Sequence, residues 1–110
     1  MDLTKKKCVP CEGGVPPFNP EEITTHLAYV KNWVVSEDNK KIRKDFKFAD
    51  FKEAMKFVNK VADIAESDGH HPDIMIHYSR VTLELWTHAI MGLSENDFII
   101  AAKVDKLLGE

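Results

Sequence analysis

From position 19 onward, apolar residues return at two alternating spacings, and each change of spacing marks an element. Asn19-Pro20-Glu21-Glu22 reads as a helix start, with Asn19 as N-cap, Pro20 at the first helical position and Glu22 three residues on. Ile23, Leu27 and Val30 then recur at helical spacing, which predicts a helix to about Asn32. Trp33-Val34-Val35 is extended, and Ser36 to Lys40 has turn chemistry. Ile42, Phe46 and Phe48 alternate with Arg43, Asp45 and Lys47, as in a half-buried strand. Lys44 interrupts the apolar side, which suggests a strand end or an edge. Asp50 to Glu53 caps the longest helix, expected to reach about Ser67. Its stripe is Phe51, Ala54, Met55, Val58, Val61, Ala62 and Ala65. Phe57 and Ile64 form a flanking stripe, read either as a widened core face or as a self-association surface.

Period-two alternation then returns twice. Ile74, Ile76 and Tyr78 alternate with Asp73, Met75 and His77; Val81, Leu83 and Leu85 alternate with Thr82, Glu84, Trp86 and His88. Only Ser79 and Arg80 separate the two runs, which predicts a tight hairpin with Tyr78 opposite Val81. Ser94 to Asp97 caps a last helix through about Leu108, with Phe98, Ala101, Ala102 and Leu108 on its apolar side. The expected fold class is α+β: a four-stranded antiparallel sheet with three helices packed on one face.

The hairpin register has a chemical consequence. It sets His71 directly across from His88, with Asp73 opposite Trp86, and leaves His70 on the entry loop beside them. The apolar set faces the helices, so His71, Asp73, His77, Glu84, Trp86 and His88 face the other way. Pro72 pushes His71 to an extended conformation, and Gly69 suits the C-cap of the preceding helix. Such a cluster can be a set of exposed polar residues, a metal site or an acid–base site. Imidazole exchanges protons near neutrality and is also a common metal ligand. Composition and spacing leave the last two readings open.

The 110 residues, 44% hydrophobic, suffice for one core, and a net charge of −3 with no long basic block argues against nucleic acid. No apolar run approaches the roughly 20 residues of a membrane span. The basic start lacks a hydrophobic region after it, so a signal peptide is not expected and the cytoplasm is favoured. Residues 1–18 read as a flexible leader rich in Gly and Pro, ahead of a domain over 19–110. Cys8 and Cys11 have the spacing of half a zinc site or of a redox pair. They lack a second Cys pair and the strand–helix context, so two reduced thiols on a loose arm are expected.

Taken together, Ala65-Glu66, His70-His71-Pro72, Tyr78, Val81, Leu85, Thr87-His88, Gly92-Leu93-Ser94 and Asp97 resemble the pterin-4a-carbinolamine dehydratase family. Trp33 and the run FKFADFKEAMKFV resemble it too, and the likeness spans roughly Pro20 to Leu108. It implies a compact α+β domain that dehydrates a 4a-hydroxytetrahydropterin to the quinonoid dihydropterin, downstream of aromatic amino-acid hydroxylases. It implies no metal or organic cofactor, no nucleic-acid or membrane partner, and a homodimer or homotetramer. By motif position, His70, His71 and His88 would be catalytic. His70 and His88 would share the acid–base work, and His71 would hold the substrate near its hydroxyl. Glu66, Gly69, Pro72, Trp86 and Thr87 would frame the substrate, with Glu66 orienting a histidine or binding the pterin. Trp33 would belong to the core or to the pocket wall. This chain has Gly69 where some relatives have Asp, Ile74 where some have an aromatic, and Trp86 where some have a small residue. A stacking role could therefore pass from position 74 to Trp86. Some family members act as dimerisation partners of a transcription factor. The alternative role is thus a protein-binding module using the long helix around Phe57 and Ile64.

Overall fold

The computed structural model describes residues 2–9 and 15–109. Three helices, α1 (Pro20–Leu27), α2 (Phe51–Asp68) and α3 (Glu95–Leu107), lie on one face of an antiparallel sheet. The sheet contains β1 (Val34–Val35), β2 (Ile42–Lys47), β3 (Asp73–His77) and β4 (Arg80–Leu85), in the order β1-β2-β4-β3. The α+β expectation holds in class, helix number and strand pairing. Among the described residues no helix is long and apolar enough to cross a membrane.

The capping box at Asn19 forms as read: Glu22 N donates to Asn19 Oδ1 at 2.9 Å, and Asn19 N donates to Glu22 Oε1 at 3.0 Å. Yet α1 stops at Leu27, five residues short of Asn32. The backbone N–H of Lys31 is diverted to Asp105 Oδ2 at 2.9 Å, so it cannot continue the helical ladder. Asn32 then takes a positive φ of 63° that redirects the chain into β1.

Asp105 also explains Lys44, which sits within β2 and points into the core rather than marking an end or edge. Its Nζ lies 2.9 Å from Asp105 Oδ1, and Trp33 Nε1 donates to the same oxygen at 3.0 Å. Both charges are buried and mutually satisfied, as buried ions must be. Trp33 is thereby a core residue, not a pocket wall.

On α2 the widened core face is the one realised. Phe57 is buried between Phe46 and Phe48, with ring centroids 4.7 and 5.0 Å away, and Ile64 packs at the margin of the core. Phe51 instead turns about half outward. Phe57 is therefore interior, while Ile64 stays partly exposed.

The described part of the leader is packed, not loose. Leu3 and Cys8 are buried against α3. Val9 exchanges two hydrogen bonds with the Asn96 side chain, N–H to Oδ1 at 3.1 Å and Nδ2 to C=O at 2.6 Å. Consequently α3 is buried nearly all round: Ile99, Ile100 and Val104 are enclosed as well as Phe98, Ala101 and Ala102, while Leu108 is exposed. Burial pushes the Cys8 thiol from an ordinary 9.0 up to about 12, the opposite of a reactive redox cysteine. Cys11 lies outside the described residues.

The hairpin differs from the expected register by two. His77 pairs with Arg80, Ile76 with Val81, Met75 with Thr82 and Asp73 with Glu84. The turn is Tyr78-Ser79, with Tyr78 at φ 52°, and it is anchored by Phe48 N donating to the Ser79 carbonyl at 2.8 Å. Tyr78 is 71% exposed rather than core-facing. A two-residue slip preserves which side chains face inward, so the alternating pattern cannot detect it.

Candidate active site

The elements that carry the histidines end close together. Helix α2 stops at Gly69, which caps it in the left-handed conformation at φ 68°, its N–H donating to the Ala65 carbonyl at 2.8 Å. Pro72 follows three residues later and keeps His71 from continuing the helix. Strand β4 ends at Leu85. Thr87 bridges to Gly92, and a single 3₁₀ turn runs from His88 to Ile90. Gly69, His70, His71, Pro72, Thr87 and His88 line one open cleft of about 370 Å³.

The three histidines meet there by a route other than the one expected. His71 does not pair across the sheet with His88. In the observed register position 71 lies level with Trp86, and His88 has left the strand for the 3₁₀ turn. The turn at the end of β4, not cross-strand pairing, brings His88 to the cleft.

His70 is the most firmly held. Its Nε2 lies 2.6 Å from Asp97 Oδ1. Asp97, in the first turn of α3, is fully buried, and its other oxygen accepts from Thr87 Oγ1 at 2.8 Å and Ser94 N at 3.0 Å. A buried carboxylate with three donors keeps the Nε2 proton toward itself, which leaves Nδ1 as the free nitrogen of His70. It also stabilises the imidazolium that forms if Nδ1 takes a proton. This is orientation of a base by a buried carboxylate, the logic of a His–Asp pair.

His71 has a carboxylate at the same distance, Nε2 to Glu66 Oε2 at 2.6 Å, but both side chains are mostly in solvent, 58% and 77% exposed. Water screens this pair. Glu66 thus contacts a histidine, one of the two roles considered for it. His88 is exposed, and its ring lies 3.9 Å from that of Trp86 at 36°. The indole N–H reaches Asp73 Oδ2 at 3.3 Å, and Lys41 Nζ stands 4.9 Å from the ring centroid. The indole therefore contacts His88, Asp73 and Lys41 at the mouth of the site.

Reading the sequence left Asp97 and Ser94 without a role in the site. The available signal was Ser94 and Asp97 at capping-box spacing, with Thr87 next to His88; its meaning depends on α3 bringing Asp97 against the end of α2. Among the described residues, no three His, Cys, Asp or Glu side chains are grouped so as to hold a metal ion. The arrangement can exchange protons at two separate imidazoles, one carboxylate-backed and one open to solvent.

Residues 16–107 match the family model described as pterin 4 alpha carbinolamine dehydratase. A Rickettsia bellii protein, provisionally named pterin-4-alpha-carbinolamine dehydratase, is 48% identical over 96% of this chain and 93% of its own length. A Methylococcus capsulatus protein of the same provisional name is 46% identical over 98% of this chain and 95% of its own. Among solved structures, a transcriptional coactivator/pterin dehydratase from Brucella melitensis superposes with a TM-score of 0.79 at 31% identity. That match covers 83% of this chain and 97% of the other.

Proposed function

Because the chain belongs to the pterin 4 alpha carbinolamine dehydratase family, we propose that it dehydrates a 4a-hydroxytetrahydropterin to the quinonoid dihydropterin by histidine acid–base catalysis. The observation that carries this reading is the buried His70–Asp97 pair facing the same cleft as His71 and His88. The reaction removes water. The C4a–O bond breaks, the N5 lone pair becomes the C4a=N5 double bond, N5 loses its proton and the hydroxyl gains one. One base and one acid on the same cleft meet that requirement.

His70, with Nδ1 free and Asp97 behind it, is assigned as the base that takes the N5 proton. His88, with no carboxylate within ion-pair distance among the described residues, is assigned as the acid that protonates the departing hydroxyl. His71, steered by Glu66, holds the substrate near that hydroxyl, with Gly69, Pro72 and Thr87 forming the cleft wall. Positioned acid–base groups contribute about 10²–10⁴-fold each. In this reading the product re-enters the pterin cycle of aromatic amino-acid hydroxylases.

The test is stopped-flow absorbance of freshly generated 4a-hydroxytetrahydropterin with wild type and His88→Ala. The reading expects wild type well above the spontaneous rate and His88→Ala slower by about 10²-fold or more. A wild type no faster than buffer contradicts it. Of the two residues first considered for the protein-binding alternative, Phe57 is interior and Ile64 is partly exposed.

A further inference from the structure

The open face of the sheet is not uniform. At the end nearer the histidine cleft, one cross-strand row is Arg43, Glu84 and Asp73, from β2, β4 and β3. Its charges alternate, and Arg43 Nη1 lies 3.7 Å from Glu84 Oε2. The next row is Asp45, Thr82 and Met75, in which Thr82 Oγ1 donates to Asp45 Oδ1 at 2.7 Å. The row at the hairpin end is Lys47, Arg80 and His77. All three are exposed on the same face, and neither Lys47 nor Arg80 has a carboxylate within ion-pair distance among the described residues.

Like charges directly opposed across strands destabilise a sheet. Here two permanent cations face each other, with an imidazole alongside, in a chain whose net charge is −3. Asp45, which lines the same cleft, is already held by Thr82 and lies 3.7 Å from Arg43 Nε. The three side chains span about 10 Å at ordinary strand spacing. They border a cleft of about 450 Å³ that Arg43, Asp45 and Thr82 also line. That size falls within the usual range for small-molecule sites. The row lies about 13 Å along β3 from its histidine end.

We propose that the Lys47–Arg80–His77 row is a binding site for a small, multiply charged anion bearing phosphate or carboxylate groups, separate from the histidine cleft. An anion seated across the row replaces the Lys47–Arg80 repulsion with charge-assisted hydrogen bonds, for which Arg80 offers a planar fork and Lys47 a point charge. Nucleic acid fits less well, because a long polyanion needs many more phosphate contacts than two cations and an imidazole supply and meets an acidic protein around them.

The test is ¹⁵N–¹H NMR titration of the full chain with pyrophosphate and, separately, with citrate, at constant ionic strength. Saturable shifts at Lys47, His77, Arg80 and Thr82 are expected with at least one probe. Pyrophosphate alone marks a phosphate site, citrate alone a carboxylate site, and both a site selected by charge. Arg80→Gln, an exposed substitution checked for folding by its own spectrum, weakens binding about tenfold or more and leaves the histidine-cleft resonances unmoved. At low salt and without anion, Lys47→Gln raises the thermal midpoint, and added salt erases the gain. Non-saturating or scattered shifts, equal binding by Arg80→Gln, or a lowered midpoint for Lys47→Gln overturn the proposal. So does binding restricted to an acidic peptide or an oligonucleotide.

Discussion

Two adjacent histidines each touch a carboxylate at 2.6 Å, yet the two pairs belong to different physical settings. His70–Asp97 sits between the end of α2 and the first turn of α3, with the carboxylate fully buried and two further donors on it. His71–Glu66 lies on the surface at the last turns of α2, with both partners mostly in water. Distance is the same, so it cannot distinguish their roles. Burial and the remaining hydrogen bonds do: an amide at position 97 keeps one acceptor oxygen and sets an NH₂ donor against a buried donor in place of the other, whereas at position 66 water takes over the lost contact.

The largest effect that breaks this comparison is expected at the imidazoles. His70→Ala should lower kcat for pterin dehydration by about 10²–10⁴-fold in the stopped-flow assay. Next comes Asp97→Asn, which keeps the shape but loses the charge that orients His70. It should cost roughly 10–100-fold in kcat and about 1–3 kcal/mol in a urea melt, because an NH₂ donor replaces one of the two buried accepting oxygens. Glu66→Gln should change kcat by no more than about threefold and stability by less than about 1 kcal/mol. A value for Glu66→Gln as large as that for Asp97→Asn would erase the distinction between the pairs.

The smallest effect concerns the other buried group against α3. Cys8 is held neutral in the fold, its pKa pushed up to about 12. A thiol whose folded pKa is raised adds stability below about pH 9, and that contribution is lost as pH rises toward 12. Melts of wild type and Cys8→Ala over pH 8 to 11 should therefore show wild type losing relative stability as pH rises. At pH 8, Ellman's reagent should react with Cys8 only on unfolding. Rapid modification of Cys8 in the native protein would show that the leader is open.

Element types were legible in the sequence because each rests on local pattern: the capping box at Asn19, the N-cap at Asp50, Gly69 before Pro72, and alternation in β2 and β4. What the pattern could not carry was information held between elements. Lys44 looked like an interruption because its partner Asp105 is far along the chain. The end of α1 depended on the same Asp105. The hairpin slipped by two, a change to which alternation is blind, and Tyr78 moved from the core face into the turn. The leader's packing rested on Asn96, which no periodicity marks. In the site, the histidines were visible as a cluster, but the residue that ranks them, Asp97, looked like an ordinary first-turn helix residue. Its burial is a property of how α3 meets α2.

The most direct measurement is kcat for 4a-hydroxytetrahydropterin dehydration by wild type, Asp97→Asn and Glu66→Gln in one stopped-flow series. The account predicts wild type well above the spontaneous rate, Asp97→Asn reduced roughly 10–100-fold, and Glu66→Gln within about threefold of wild type. Equal losses in the two variants, or a wild type indistinguishable from buffer, would contradict it.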